Sequence, residues 1–170
     1  MDSIEAHASE GRDALFLGDN ILVELFRGHR GFYANKADER ICANDLVVTA
    51  GRVYIAKRIA SGDTVASAMA YISVGTATGA AALGDTTLAG EIKRKATAIN
   101  SVLANNVFTA VVTLGGFAES IQSIAITEAG VFNHASSGQG TMMQRVTFAS
   151  VTLANSDLLK ITLETNVGSS

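Results

Sequence analysis

The sequence predicts a mainly β protein: an antiparallel β-sandwich, jelly-roll-like, with one short α-helix and an N-terminal arm. Three observations predict it. Short runs alternate apolar and polar residues with the period of two of a half-buried strand. The cleanest is "LLKITLE", where Leu159, Ile161 and Leu163 alternate with Lys160, Thr162 and Glu164. Glycine and asparagine punctuate these runs, and the chain is rich in valine, threonine and alanine and lacks proline. Only one stretch carries a confident helical period.

In chain order, residues 1–18 show no period and read as an arm that orders on contact with something else. Residues 19–168 read as one domain, which suits a chain of 170 residues. "NILVELF" alternates Ile21, Val23 and Leu25 against Leu22, Glu24 and Phe26, and predicts a strand that ends at the "GHRG" turn. "NKADER" is a polar loop, and "ICANDLVVTAG" rises again. Thr49 then starts a helix near residues 49–61 as its N-cap. Val53, Ala56, Ile59 and Ala60 fall on one face at spacings of three and four, and Ser61-Gly62 closes it.

The remainder reads as strand after strand. "AMAYISVGT" alternates Ile72 and Val74 against Tyr71 and Ser73. Residues 75–92 form a long small-residue connection that allows a helical turn over residues 86–91. "KRKATAINSVLANNVFTAVVTL" reads as two strands meeting at Asn105-Asn106, with Phe108, Ala110, Val112 and Leu114 on one face of the second. "SIAITEAGVFN" and "TMMQRVTFASVTL" are further strands around the glycine–serine turn of residues 134–140, and "NSDLLKITLETN" is the last.

Composition narrows the function. Hydrophobic residues make up 48% and charged residues 17%, which is apolar for a lone soluble domain. Yet no segment approaches the ~20 continuous apolar residues of a spanning helix, and the first residues lack a signal-peptide pattern. The spare apolar surface points to other subunits, so no membrane partner is expected. A net charge of −3, with no basic cluster longer than "KRK", gives nucleic acid little to bind. The sole cysteine, Cys42, excludes an internal disulfide and a thiolate metal cage, and reads as a small, partly buried residue.

No catalytic constellation stands out. His7 lies in the arm, His29 in "RGHRG" and His134 in "NHASSGQG"; none has nucleophile-elbow or metal-ligand spacing. "GTATG" lacks the lysine of a phosphate loop. The sequence therefore predicts no enzyme, no catalytic, cofactor-binding or metal-binding residue, and no cofactor. The one unusual group is Glu128 inside "AITEAGVFN". By alternation it shares a face with Ile124 and Ile126, so it points into apolar surroundings. A buried carboxylate persists when it is paired and hydrogen-bonded. Arg94 and Arg145 are the candidate partners, and the three residues are expected to act as a structural pin between strands.

The runs "AYISVGTATGAAALGDTTLAGEIKRKAT", "ITEAGVFN", "GTMMQRVTF" and "DLLKITLE" resemble a group of small tailed-bacteriophage virion proteins. "NDLVVTAGRVYIAKRIASG" is similar to a further stretch of that group. The likeness spans residues 44–165, and "ITEAGVFN" is its most specific piece. The resemblance implies a bacteriophage virion structural protein, foremost a capsid cement or decoration protein on the capsid surface. Its partners would be the major capsid protein and further copies of itself, as a homotrimer. The alternative is a tail, baseplate or head-fibre adaptor.

Overall fold

The computed structural model describes residues 15–28, 36–44, 46–61, 67–102 and 107–169. Along them run strands β1 (Leu15–Phe26), β2 (Glu39–Asn44) and β3 (Leu46–Val47), then helix α1 (Thr49–Ser61). Strands β4 (Tyr71–Gly75), β5 (Glu91–Ala96), β6 (Ala98–Val102), β7 (Val107–Gly115), β8 (Ala125–Phe132), β9 (Met142–Thr152) and β10 (Leu158–Ser169) follow. They assemble into two five-stranded sheets, ordered β2-β1-β10-β7-β6 and β3-β9-β8-β4-β5. Every neighbouring pair is antiparallel. Hairpins β1–β2, β4–β5, β6–β7 and β8–β9 each stay within one sheet. These pairings establish a mainly β, two-sheet sandwich, with helix α1 beside it, among the described residues.

The period-two pattern explains the core. From the first sheet, Ile21, Val23, Leu25, Ala110, Val112, Leu114, Leu159, Ile161 and Leu163 point inward. Ile72, Val74, Ala129, Val131, Val146 and Val151 of the second sheet meet them in one buried cluster. Each fully buried aliphatic side chain of this kind contributes roughly 1.5–3 kcal/mol. A polar contact crosses this interior: Thr165 Oγ1 of β10 donates to Gln144 Oε1 of β9 at 2.6 Å, both residues being buried. A second, smaller apolar cluster of Val48, Leu88, Phe132 and Met142 lies apart from the main core.

Several sequence expectations change here. Strand β1 takes in Leu15–Gly18, four residues that read as arm, and pairs them with the end of β10. Residues 1–14 of that arm and the Asn105-Asn106 turn lie outside the described residues. Residues 86–91 form no helical turn. Cys42 is exposed. Helix α1 spans the predicted residues but turns a different face inward: Val53 is 46% exposed and Ala56 is exposed too, while Gly51 is buried and Tyr54 packs on the core. The reason is Gly51. A Cβ there would collide with the Met143 backbone, so glycine lets the helix lie directly against β9. The side chains of Ile59 and Ala60 lie outside the described residues.

Candidate functional site

Register places the charged residues of the second sheet before any side chain is considered. Arg145, Gly130, Ser73 and Arg94 face one another in one row across β9, β8, β4 and β5. Gly75 is opposite both Glu128 and Glu91 in the adjoining row. Two guanidiniums and two carboxylates thus lie on one sheet surface, with small residues between them.

Glu128 does not share a face with Ile126. The β8–β9 register shifts between these two residues, so Ile126 stays in the main core while Glu128 turns to the opposite face, beneath residues 76–90. Between the pairs Ile126–Val151 and Glu128–Thr147, β8 has one residue, Thr127, and β9 has three, Phe148 to Ser150, so the ladder is interrupted here and the alternation reverses. There Glu128 is 0% exposed. Its Oε1 accepts the Gly90 N–H at 2.7 Å and the Ala77 N–H at 3.3 Å. Its Oε2 accepts the Ala89 N–H at 3.4 Å and Arg145 Nε at 2.9 Å, and lies 2.8 Å from Arg145 Nη2. A carboxylate offers about four acceptor sites. Those of Glu128 are filled by its own chain.

Arg145 continues the network outward. Its Nη1 donates to Asp85 Oδ2 at 2.7 Å, and Nη2 donates to the Gly79 carbonyl at 3.2 Å. Asp85 also accepts the Ala82 N–H at 2.8 Å. Burial works against the Arg145 charge, but the Asp85 and Glu128 carboxylates outweigh it and raise its pKa above the ordinary value. The Ala82 N–H is the largest influence on Asp85; with Arg145 it overcomes partial burial and holds that carboxyl below its usual range. The pair therefore fastens residues 76–90 onto the sheet at both ends. Gly75 makes room for it, since a Cβ there would strike the Glu128 carboxylate and come within 2.6 Å of the Gly90 carbonyl oxygen.

Arg94 is not a partner of Glu128. It forms a second fastener with Glu91: Nε donates to Oε1 at 2.7 Å and Nη2 to Oε2 at 3.0 Å. The guanidinium stacks 3.7 Å from the centre of the Phe132 ring. Its Nη1 donates to the His134 and Gln139 carbonyls, both at 2.9 Å, which ties down the turn of residues 134–140. Burial pushes the Glu91 carboxyl up, but hydrogen bonds from Arg94, Ser73 and Ser137 and the Arg94 charge prevail, leaving it below its ordinary value. Alternation pointed to Arg94 because it lies in a neighbouring strand. The register separates it from Glu128 by Ser73, Gly130 and Gly75.

Sequence reading missed Asp85, Glu91 and Ser73, although Asp85 and Glu91 stand in the "GDTTLAGEI" stretch. It also missed Asp157, whose carboxylate accepts from Arg27 Nη1 at 2.7 Å, Gly28 N at 3.0 Å and Ala154 N at 2.9 Å. His134 is exposed, and its Nδ1 accepts the Ser136 N–H; His7 and His29 lie outside the described residues. Among the described residues no group of three or more His, Cys, Asp or Glu side chains is placed to hold a metal ion. Chemically, the arrangement can clamp two loops to one sheet, and Glu128 presents no open side to a ligand.

No family model, no curated protein and no solved structure matched this chain in the comparisons with known proteins.

Proposed function

We propose that this chain is a structural protein of a tailed-bacteriophage virion, a cement protein that binds the capsid surface and stabilises the shell. It acts through contacts with the major capsid protein and with its own copies as a homotrimer, without enzymatic activity, cofactor, nucleic acid or membrane. One observation carries the reading beside the resemblance. The stretches that resemble virion proteins hold the residues of the two fasteners: Asp85, Glu91 and Arg94 in the first, Glu128 in "ITEAGVFN" and Arg145 in "GTMMQRVTF". Their charges are spent on one another and on backbone groups, as a rigid building block requires and a catalytic centre does not. Phe117, Leu83 and Val53 remain 72%, 47% and 46% exposed, apolar groups suited to subunit contacts. Many weak contacts closed by symmetry stiffen a shell without a strong individual interface.

Band intensities on a denaturing gel of purified particles test the proposal. A cement protein is present in hundreds of copies, comparable with the major capsid protein, and particles lacking it break at lower temperature. A few to a few dozen copies would replace cement with a tail, baseplate or head-fibre role. Absence from purified particles would overturn the virion reading altogether.

A further inference from the structure

The solvent face of the first sheet carries a cleft of about 530 Å³ across β2, β1 and β10, bordered by Asn20, Leu22, Cys42, Asn44, Thr162 and Glu164. The register explains its polar wall. Asn20 is opposite Asn44 on one side and Glu164 on the other, so two amides and a carboxylate stand in one row. Leu22, Cys42 and Thr162 form the next row in the same way. Neighbouring strands lie ~4.8 Å apart, so the polar row spans roughly 10 Å.

The row beyond shows what makes this one unusual. Glu24 is opposite Arg40 and Lys160, and the three close on themselves: Arg40 Nε donates to Oε1 at 3.0 Å and Lys160 Nζ to Oε2 at 3.1 Å. Glu24 is buried by its partners. Asn20, Asn44 and Glu164, on the same three strands, are exposed, and no ion pair among the described residues takes up Glu164. Among the described residues, hydrogen-bonding capacity therefore faces the cleft uncommitted.

We infer that this cleft is a binding site for a neutral carbohydrate of about two sugar units. A sugar hydroxyl both donates and accepts, which matches an amide that offers an oxygen and two N–H groups. A carboxylate takes two adjacent hydroxyls at once. Leu22 supplies apolar surface for the C–H face of a ring, and the span of the row fits two linked rings. Glu164 is the charged group that borders the cleft, and it repels a phosphate or an acidic sugar placed beside it, while Arg40 and Lys160 are engaged with Glu24, which offsets one of their two charges. The site lacks an aromatic platform, so its affinity is millimolar, and it becomes effective through many displayed copies. This inference stands independently of the virion reading.

The test is a titration of the full chain with cellobiose, maltose and N,N′-diacetylchitobiose, with digalacturonic acid as the acidic control, followed by amide and Asn side-chain NMR signals. The expected result is saturable shifts at Asn20, Leu22, Asn44 and Thr162 for at least one neutral disaccharide, and none for the acid. The same sugar should slow the reaction of Cys42 with a thiol reagent. Asn20→Ala and Glu164→Gln, both at exposed positions, should each weaken binding about tenfold without lowering the melting temperature. No saturable shift with any of the three neutral sugars, shifts elsewhere on the surface, equal binding of the acid, or unchanged affinity in both variants would each overturn the assignment.

Discussion

Replacing Glu128 by glutamine keeps the shape of the side chain and removes its charge. The remaining amide oxygen can still accept the Gly90 and Ala77 N–H groups, 2.7 and 3.3 Å away in the native protein. The new NH2 then faces Arg145, a donor against donors, and both contacts at 2.9 and 2.8 Å are lost. Hydrogen bonds to charged groups contribute roughly 1.5–3 kcal/mol each, and breaking a buried pair costs about 3–5 kcal/mol. Arg145 keeps Asp85 at 2.7 Å, so its charge is not left bare. The lower end of the range applies, about 3 kcal/mol. For a chain of this size that lowers Tm by roughly 6–12 °C.

Calorimetry and urea unfolding measure the loss, and amide hydrogen exchange locates it. The Ala77, Ala89 and Gly90 amides should exchange faster than those of β7 and β10. A pair of apolar replacements, Glu128→Met with Arg145→Met, should cost less than Glu128→Gln, because it leaves no buried charge behind. A Tm within about 2 °C of the parent, with Gly90 still protected, would refute the pin.

Three further outcomes follow from the same geometry. The Glu91, Asp85 and Asp157 carboxyls have folded pKa values below their ordinary 4.5, 3.8 and 3.8. The unfolded chain therefore binds more protons in that window, so their contribution is complete above the ordinary values and fades as pH falls through the folded ones; urea midpoints should be flat from pH 7 to about 5 and drop below about 4. Gly75→Ala forces a methyl group against Glu128 and the Gly90 carbonyl oxygen, and should cost about 1–3 kcal/mol in denaturant unfolding, whereas wild-type stability would show that the loop simply moves aside. Arg94→Lys keeps the charge but cannot bridge Glu91 and the His134 and Gln139 carbonyls together; limited proteolysis should cut within residues 134–140 faster, and an unchanged cleavage rate would count against the second fastener.

Much of the sandwich was legible because alternation survives in long, regular strands. Phe108, Ala110, Val112 and Leu114 all face inward on β7, as do Leu159, Ile161 and Leu163 on β10. That Glu128 pairs with an arginine was legible for a chemical reason: a carboxylate in an apolar strand needs a cation, and Arg145 was one of the two candidates. Its direction was not legible. Counting by twos from Ile126 puts Glu128 in the main core, and the register shift at Thr127 leaves no mark in a string of letters. The inward face of α1 was hidden similarly, since a glycine that packs closely does not register as apolar. Arg94 could be assigned to Glu91 only once the strand order was known, because adjacency in a sheet is not adjacency in the chain.

The Thr165–Gln144 contact bridges the two sheets where nearly everything around it is greasy and indifferent to sliding. Aliphatic side chains tolerate many offsets of one layer over the other at similar energy; a hydroxyl and an amide tolerate one. A misaligned sandwich would separate the buried hydroxyl from the amide oxygen, so this link works as an alignment key, raising the energy of near-correct assemblies more than it lowers that of the correct one.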